Sequence, residues 1–212
     1  MKANLLCGNR NLPKHILVEH KHEHWIGIDR GTLILLESGI TPQFAVGDFD
    51  SISDSERNFI QQQIEINPYN SEKDDTDLAL GIDQAVKRGY RNIDVYGATG
   101  GRLDHFMGAL QILEKPEYAK MNINIKLIDD TNEIQFIQKG QFNVTYSEQF
   151  PYISFIPVIY PTVISLKGFK YNLQNETLKL GSTLTISNEL SQSCGNIEII
   201  EGSVLMIRSK DE

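Results

Sequence analysis

A chain of 212 residues can bury about 70% of the surface its unfolded form exposes, which allows one large domain or two small ones. Charged residues at 23% and hydrophobic residues at 40% exclude a disordered chain. The formal net charge of -8 speaks against a nucleic-acid partner, because phosphate backbones require a basic face.

Residues 3–7 predict a first strand, and Gly8-Asn9-Arg10-Asn11 a turn after it. Residues 1–11 hold no apolar stretch of signal-peptide length. Cys7 and Cys194 are too few for a disulfide framework. His20, His22 and His24 would share one face of a strand, as metal ligands do. No fourth ligand or carboxylate partner is identifiable, and the stretch is read as a solvated loop leading into a strand over residues 25–28. Asp29-Arg30-Gly31-Thr32 turns into a short helix over residues 33–37, which Gly39 ends.

A short apolar strand over residues 44–46 follows, and Gly47-Asp48-Phe49-Asp50-Ser51 lies at its end. In extended chain, Asp48 and Asp50 point to the same side. Their Cα atoms would sit roughly 6.6 Å apart, and their carboxylates would repel by about 2.5 kcal/mol at an effective dielectric near 20. A cation between them turns that cost into a gain, so the motif reads as a Mg²⁺ site for phosphate chemistry. On these residues alone an acidic turn with Ser51 capping the next helix stays equally open.

Ser53 with Glu56 three residues on forms a capping box for a helix over residues 53–63, and a brief strand is expected over residues 64–66. Then come Lys73, Asp74, Asp75, Thr76 and Asp77, followed by a stripe of Leu78, Ile82, Ala85 and Val86. The spacing places this acidic cluster at a helix N-terminus. There one or two carboxylates would serve the helix dipole, at about 0.3–1 kcal/mol each. Three, with a lysine beside them, suggest more.

A strand over residues 92–96 leads into Gly97-Ala98-Thr99-Gly100-Gly101-Arg102-Leu103-Asp104-His105, which opens a helix to about residue 114. Such a glycine-rich turn lets backbone N–H groups approach phosphate oxygens, although it is neither a Walker A loop nor the dinucleotide fingerprint. Arg102 adds a forked phosphate donor. His105 reads either as catalytic or as a helix-start residue contacting local backbone. Alternating strands and helices predict a parallel α/β sheet. Ligands of such sheets bind outside the carboxyl ends of the strands, where Asp48, Asp50, Asp77 and Asp104 all fall.

After a strand over residues 123–128 the pattern changes. Short strands are expected over residues 133–137, 142–146, 152–156, 163–166, 179–180, 197–201 and 204–207, with Glu201-Gly202-Ser203 as a hairpin turn. The uncharged stretch 149–166 contains Pro151, Pro157 and Pro161 and reads as strands broken by prolines, not as a membrane span. Roughly 80 residues of short strands suggest a small β-sandwich. The expectation is therefore an N-terminal Rossmann-like parallel α/β domain over residues 1–132 and a C-terminal β-sandwich over residues 133–212, in a cytoplasmic protein.

Taken together, Gly47-Asp48-Phe49-Asp50-Ser51, Lys73-Asp74-Asp75-Thr76-Asp77 and the stretch from Gly97 to His105 resemble the thiamine pyrophosphokinase family, bacterial type. Leu166-Lys167-Gly168-Phe169, Leu180-Gly181-Ser182 and Ile186-Ser187-Asn188-Glu189 continue the resemblance in family order over nearly the whole chain. Gly8-Asn9 departs from it, since the family often has two glycines there; Asn tolerates the left-handed conformation better than most residues.

The resemblance implies a catalytic α/β domain, a thiamine-binding β-sandwich and a homodimer. It also implies transfer of the diphosphoryl group of ATP to thiamine, giving thiamine diphosphate and AMP. Asp48, Asp50, Asp77 and Asp104 would share Mg²⁺ binding and general-base duty. Lys73 and Arg102 would hold phosphates, with Thr99, Gly100 and His105 in the same nucleotide-binding turn. Asp29 and Arg30 stand where the family has another active-site turn, and Ser187 and Asn188 would help form the thiamine pocket. Each active site would be shared between two chains. Two rivals are a phosphohydrolase of the haloacid dehalogenase kind, which also places Asp-x-Asp after a strand, and a non-catalytic nucleotide or thiamine sensor. The first wants Thr or Val where this chain has Ile52; four intact carboxylates speak against the second.

Overall fold

The computed structural model describes residues 1–50, 52–64 and 75–211, and the chain divides into two compact units, Met1–Asp130 and Thr131–Glu212. The first unit runs β1 (Lys2–Leu6), α1 (Ile16–Glu19), β2 (Trp25–Ile28), α2 (Arg30–Glu37), β3 (Ala45–Val46), α3 (Asp54–Gln63), α4 (Asp77–Lys87), β4 (Asn92–Tyr96), α5 (Leu103–Leu113), α6 (Pro116–Lys120) and β5 (Asn124–Ile128). Its strands pair in the order β5-β4-β1-β2-β3, every pair parallel.

The sequence of β1 explains its place in the middle. Ala3, Leu5 and Leu6 are all fully buried, and a strand apolar on both faces needs helices on both sides. Leu6 packs with Trp25, Leu35 and Tyr96 on one face. On the other, α4 approaches so closely that a Cβ on Gly81 would meet the side chains of Ile28 and Leu5. The chain leaves β1 toward β2 and β3, then crosses back to β4 and β5. The order therefore reverses between β1 and β4, the position where open α/β sheets form their ligand crevice. The two loops touch at that point: a Cβ on Gly97 would lie 2.2 Å from the Gly8 carbonyl oxygen.

α3 starts as the capping box predicts. The Ser53 hydroxyl accepts the Glu56 N–H, and the Glu56 carboxylate accepts the Ser53 N–H. α2 begins at Arg30, ahead of the expected residue 33. The one-turn helix α1 and the short α6 have too few residues for a periodic stripe and were not expected. Of the strand expected over residues 64–66, Ile64 is the C-cap of α3, and Glu65 and Ile66 lie outside the described residues.

The second unit contains β6 (Asn132–Ile137), β7 (Gly140–Thr145), β8 (Tyr152–Lys167), β9 (Leu173–Leu178), β10 (Asn188–Glu189) and β11 (Cys194–Ser209). All its strand pairs are antiparallel. Two expectations are corrected here. The segments 152–156 and 163–166 are one 16-residue strand, and so are 197–201 and 204–207. Glu201-Gly202-Ser203 is not a hairpin turn but a break in register, at which β11 bends while staying paired to β8. Gly202 has φ 75, and a Cβ there would lie 2.4 Å from the Ile159 carbonyl oxygen. Pro157 is tolerated because it falls between the stretch of β8 that meets β10 and the stretch that meets β9. The strand expected at residues 179–180 lies earlier, as β9.

The bend gives each long strand two halves. The early half of β11 runs between β7 and the late half of β8; its late half runs between β6 and the early half of β8. Both halves contribute to one apolar core: Ile153, Phe155, Val204 and Met206 from one, Ile164, Leu166, Ile197 and Ile199 from the other. Among the described residues, no helix is long and apolar enough to cross a membrane.

Candidate active site

Three acidic loops meet at the carboxyl ends of β2 and β3 and the N-terminus of α4. Asp29 directly follows β2, Asp48 follows β3 after Gly47, and Asp77 is the first residue of α4, behind the N-cap Thr76. One carboxylate oxygen from each of Asp29, Asp48 and Asp77 lies within 4.8 Å of the others. Three converging oxygen donors suit a hard divalent cation. Burial, with the charge of Asp77 next, pushes the Asp29 carboxyl up to about 7 from its ordinary 3.8.

Asp50 stands apart from this cluster, and the reason is local. Phe49 has φ 57, so Gly47 to Asp50 is a turn rather than extended chain, and the two aspartates do not share a side. The Phe49 ring is 1% exposed and packs with Leu33, Ile52 and Ile60. That burial turns the backbone over, leaving Asp48 half-buried and Asp50 exposed. Oδ1 of Asp48 accepts the Asp50 N–H at 3.0 Å, and Oδ1 of Asp29 accepts the Phe49 N–H at 3.4 Å. Ser51 lies outside the described residues.

A cavity of about 530 Å³ opens beside the cluster, with Asp29, Asp77, Gly97, Thr99, Arg102 and His105 among its walls. Asp104 also lines it, but its carboxylate is gripped by Arg102 at 3.1 Å from Nε and 2.5 Å from Nη2. That hydrogen bond holds Asp104 down to about 2. The Thr99 hydroxyl points away from a ligand role: it is buried and donates to Asp129 at 2.6 Å. Thr99 thus offers backbone to the cavity; Gly100 is not among the lining residues and takes φ 72 in the turn. His105, exposed at the start of α5, donates its N–H to Asp104. Arg30 pairs with Glu56 at 3.6 Å.

Lys73 lies outside the described residues. Ser187 and Asn188 belong to the second unit. Ser187 has φ 55, and its N–H donates to the Ser154 hydroxyl at 2.9 Å. Asn188 is buried; its amide oxygen accepts the Tyr171 and Glu189 N–H groups and its amide nitrogen donates to the Tyr171 carbonyl. It therefore shapes the Lys170–Tyr171 turn with most of its hydrogen-bonding capacity. His20 pairs with Glu23 at 2.5 Å, a carboxylate partner not identified from sequence, and His24 meets the Tyr90 hydroxyl at 3.1 Å.

Two cavity residues were missed in the sequence. Arg10 was read only as part of a turn, yet its guanidinium lies where a Cβ on Gly101 would sit, 2.2 Å from Nη1. Cys7 lines the floor, and burial pushes its thiol up to about 12, which keeps it protonated and out of nucleophilic chemistry. The turn position after β1 was the available signal for both.

A family model described as "Thiamin pyrophosphokinase, catalytic domain" matches residues 17–127, and one described as "Thiamin pyrophosphokinase, vitamin B1 binding domain" matches residues 139–204. The thiamine pyrophosphokinase of Bacillus subtilis (strain 168) is 43% identical over 215 residues, covering 98% of each chain. The chain belongs to the thiamine pyrophosphokinase family. Thiamine pyrophosphokinase structures align over its full length. The crystal structure of a probable thiamine pyrophosphokinase from Staphylococcus saprophyticus is 90% identical, with a TM-score of 0.81 and complete coverage of both chains. That of the Bacillus subtilis thiamine pyrophosphokinase superposes with a TM-score of 0.90, again over both complete chains.

Proposed function

We propose that this enzyme transfers the diphosphoryl group of ATP to the hydroxyethyl oxygen of thiamine, giving thiamine diphosphate and AMP. The observation that carries the reading is the convergence of Asp29, Asp48 and Asp77 beside the glycine-rich cavity. An all-oxygen donor set of this kind fits Mg²⁺. The ion would neutralise the charge of the triphosphate as the β-phosphorus is attacked.

The chain's own groups divide the remaining work. The Gly97–Gly101 turn, Arg10, Arg102 and His105 border the space for phosphate oxygens, and Lys73 and Arg30 would serve as further phosphate donors. The thiamine oxygen bonds to the β-phosphorus, the bond from that phosphorus to the α,β-bridging oxygen breaks, and AMP leaves. A carboxylate outside the cluster takes the hydroxyl proton. Asp104, on the cavity wall, and Asp50, exposed two residues after Asp48, are the carboxylates available for that step.

Under this reading residues 1–132 form a Rossmann-like catalytic domain and residues 133–212 a thiamine-binding β-sandwich, with Ser187 and Asn188 at the thiamine pocket. The enzyme acts in the cytoplasm as a homodimer with shared sites. ³¹P NMR of ATP, Mg²⁺ and thiamine with the enzyme tests the reaction. Equal amounts of AMP and thiamine diphosphate are expected. Early ADP with thiamine monophosphate would refute the diphosphoryl step, and orthophosphate released without thiamine would favour a phosphohydrolase.

A further inference from the structure

We propose that Arg57 is a positioning residue for the cation site, holding Asp48 in place through the backbone of Phe49. The inference rests on the reading of Asp29, Asp48 and Asp77 as a divalent-cation site. Arg57 lies in the first turns of α3, where the sequence signals only a helix start. Its Nη2 donates to the Phe49 carbonyl at 2.7 Å and approaches the Asp48 carbonyl at 3.5 Å. Phe49 lies beyond the end of β3 in a left-handed turn, where its carbonyl has no ladder partner among the described residues, and Arg57 supplies a donor instead.

Phe49 is then fixed at three points. Its ring is buried among Leu33, Ile52 and Ile60, its N–H lies on Asp29, and its carbonyl lies on Arg57. The ring ties the turn to the core. The other two bonds decide how the peptide planes on either side of it are rotated, and hence where the Asp48 carboxylate stands relative to Asp29.

The neighbouring residue does the same for the other loop. Glu56 is pinned by the Ser53 N–H at 2.7 Å and reaches Arg30, the residue after Asp29. Consecutive residues of α3 thus hold the two loops that bring Asp29 and Asp48 together. Nε of Arg57 is buried without a hydrogen-bond partner among the described residues. The guanidinium sits where it reaches the turn rather than where its own donors are all satisfied. A charged donor is suited to this because charge-assisted hydrogen bonds are about twice as strong as neutral ones.

The test compares wild type, Arg57→Met and Arg57→Lys with Mn²⁺ as the probe. Mn²⁺ binding to the protein without nucleotide is read by EPR, the Mg²⁺ dependence of turnover is measured at saturating ATP and thiamine, and thermal unfolding is followed in EDTA. Arg57→Met is expected to weaken Mn²⁺ binding by about tenfold or more, the loss of one charge-assisted hydrogen bond. The Mg²⁺ needed for half-activation should rise by the same factor, while kcat at saturating Mg²⁺ stays within about threefold. Arg57→Lys, which keeps a single charged donor, should recover part of the affinity.

Wild-type Mn²⁺ affinity in Arg57→Met, with or without a lowered Tm, overturns the inference and leaves the cation site standing. A wild-type protein that binds no Mn²⁺ overturns both. Should Arg57→Met fail to fold, Arg57→Lys decides: a weakening of about threefold supports the inference, and unchanged affinity overturns it.

Discussion

Replacing Asp29 by Asn should make the metal-free protein more stable while destroying its activity. Asp29 is half-buried with Asp77 and Asp48 beside it, and its carboxyl is raised from 3.8 to about 7. In the folded protein it therefore keeps its proton between about pH 4 and pH 7, where the unfolded chain has lost it. The native state binds more protons across that window, so its stability falls as pH rises through it. Three units correspond to about 4 kcal/mol at full weight. Residual solvent access screens the charges, and about 2 kcal/mol is the working figure. Asparagine has the same shape and can accept the Phe49 N–H, but carries no charge. At pH 8 in EDTA the variant should unfold about 4–8 °C higher than the wild type, at roughly 2–4 °C per kcal/mol for a chain of this size. Near pH 3.5 the difference should vanish. Mg²⁺ should raise the Tm of the wild type and leave the variant unchanged, and turnover should fall by about 10²–10³. Differential scanning calorimetry across pH, with and without Mg²⁺, reads all of this. A variant no more stable than wild type at pH 8, or one whose advantage is the same at every pH, would refute the reasoning.

Gly47→Ala should cripple the site by sterics alone. Gly47 has φ 150, and a Cβ there would lie 1.9 Å from Oδ1 of Asp29; the expected result is a loss of Mg²⁺-dependent stabilisation in the same scans, and a variant stabilised by Mg²⁺ as well as wild type would contradict it. Mixing inactive Asp48→Asn with inactive Ser187→Trp should restore about a quarter of wild-type activity if two chains share each site, because roughly half the dimers are mixed and half their sites intact. No recovery after subunit exchange verified by mass spectrometry would place each site within one chain.

Local signals carried much of the first unit. The capping box at Ser53 and Glu56 and the stripe Leu78, Ile82, Ala85 and Val86 depend on residues within two turns of each other, so α3 and α4 are legible in one sequence. Asp29 was marked as an active-site turn through family resemblance, but its place in the carboxylate cluster was not seen, because convergence of loops after β2, β3 and before α4 is a property of the sheet order. The geometry of Asp48 and Asp50 was misjudged for a different reason: a buried Phe49 forces a left-handed turn that no pattern of polar and apolar residues announces. In the second unit Pro157, Pro161 and Gly202 look like chain breakers. They are tolerated because β8 and β11 lie side by side through the bend and hold each other across it, which is long-range pairing rather than local preference.

The spine of the second unit is also its last strand to be made. β11 pairs with β6, β7 and β8, and the register places Ser209 opposite Asn132, the two ends of the unit in direct contact. On a ribosome, where chain emerges at about 5–20 residues per second, the first unit can close its parallel sheet, and β8 can pair with β9 and β10, while β6, β7 and the other edge of β8 wait for a partner that does not yet exist. Such non-local pairing is slow to form, and the unit can close only once its last strand has emerged. A chain ending a few residues before Cys194 would carry the whole candidate carboxylate cluster and none of the strand on which the second core is built.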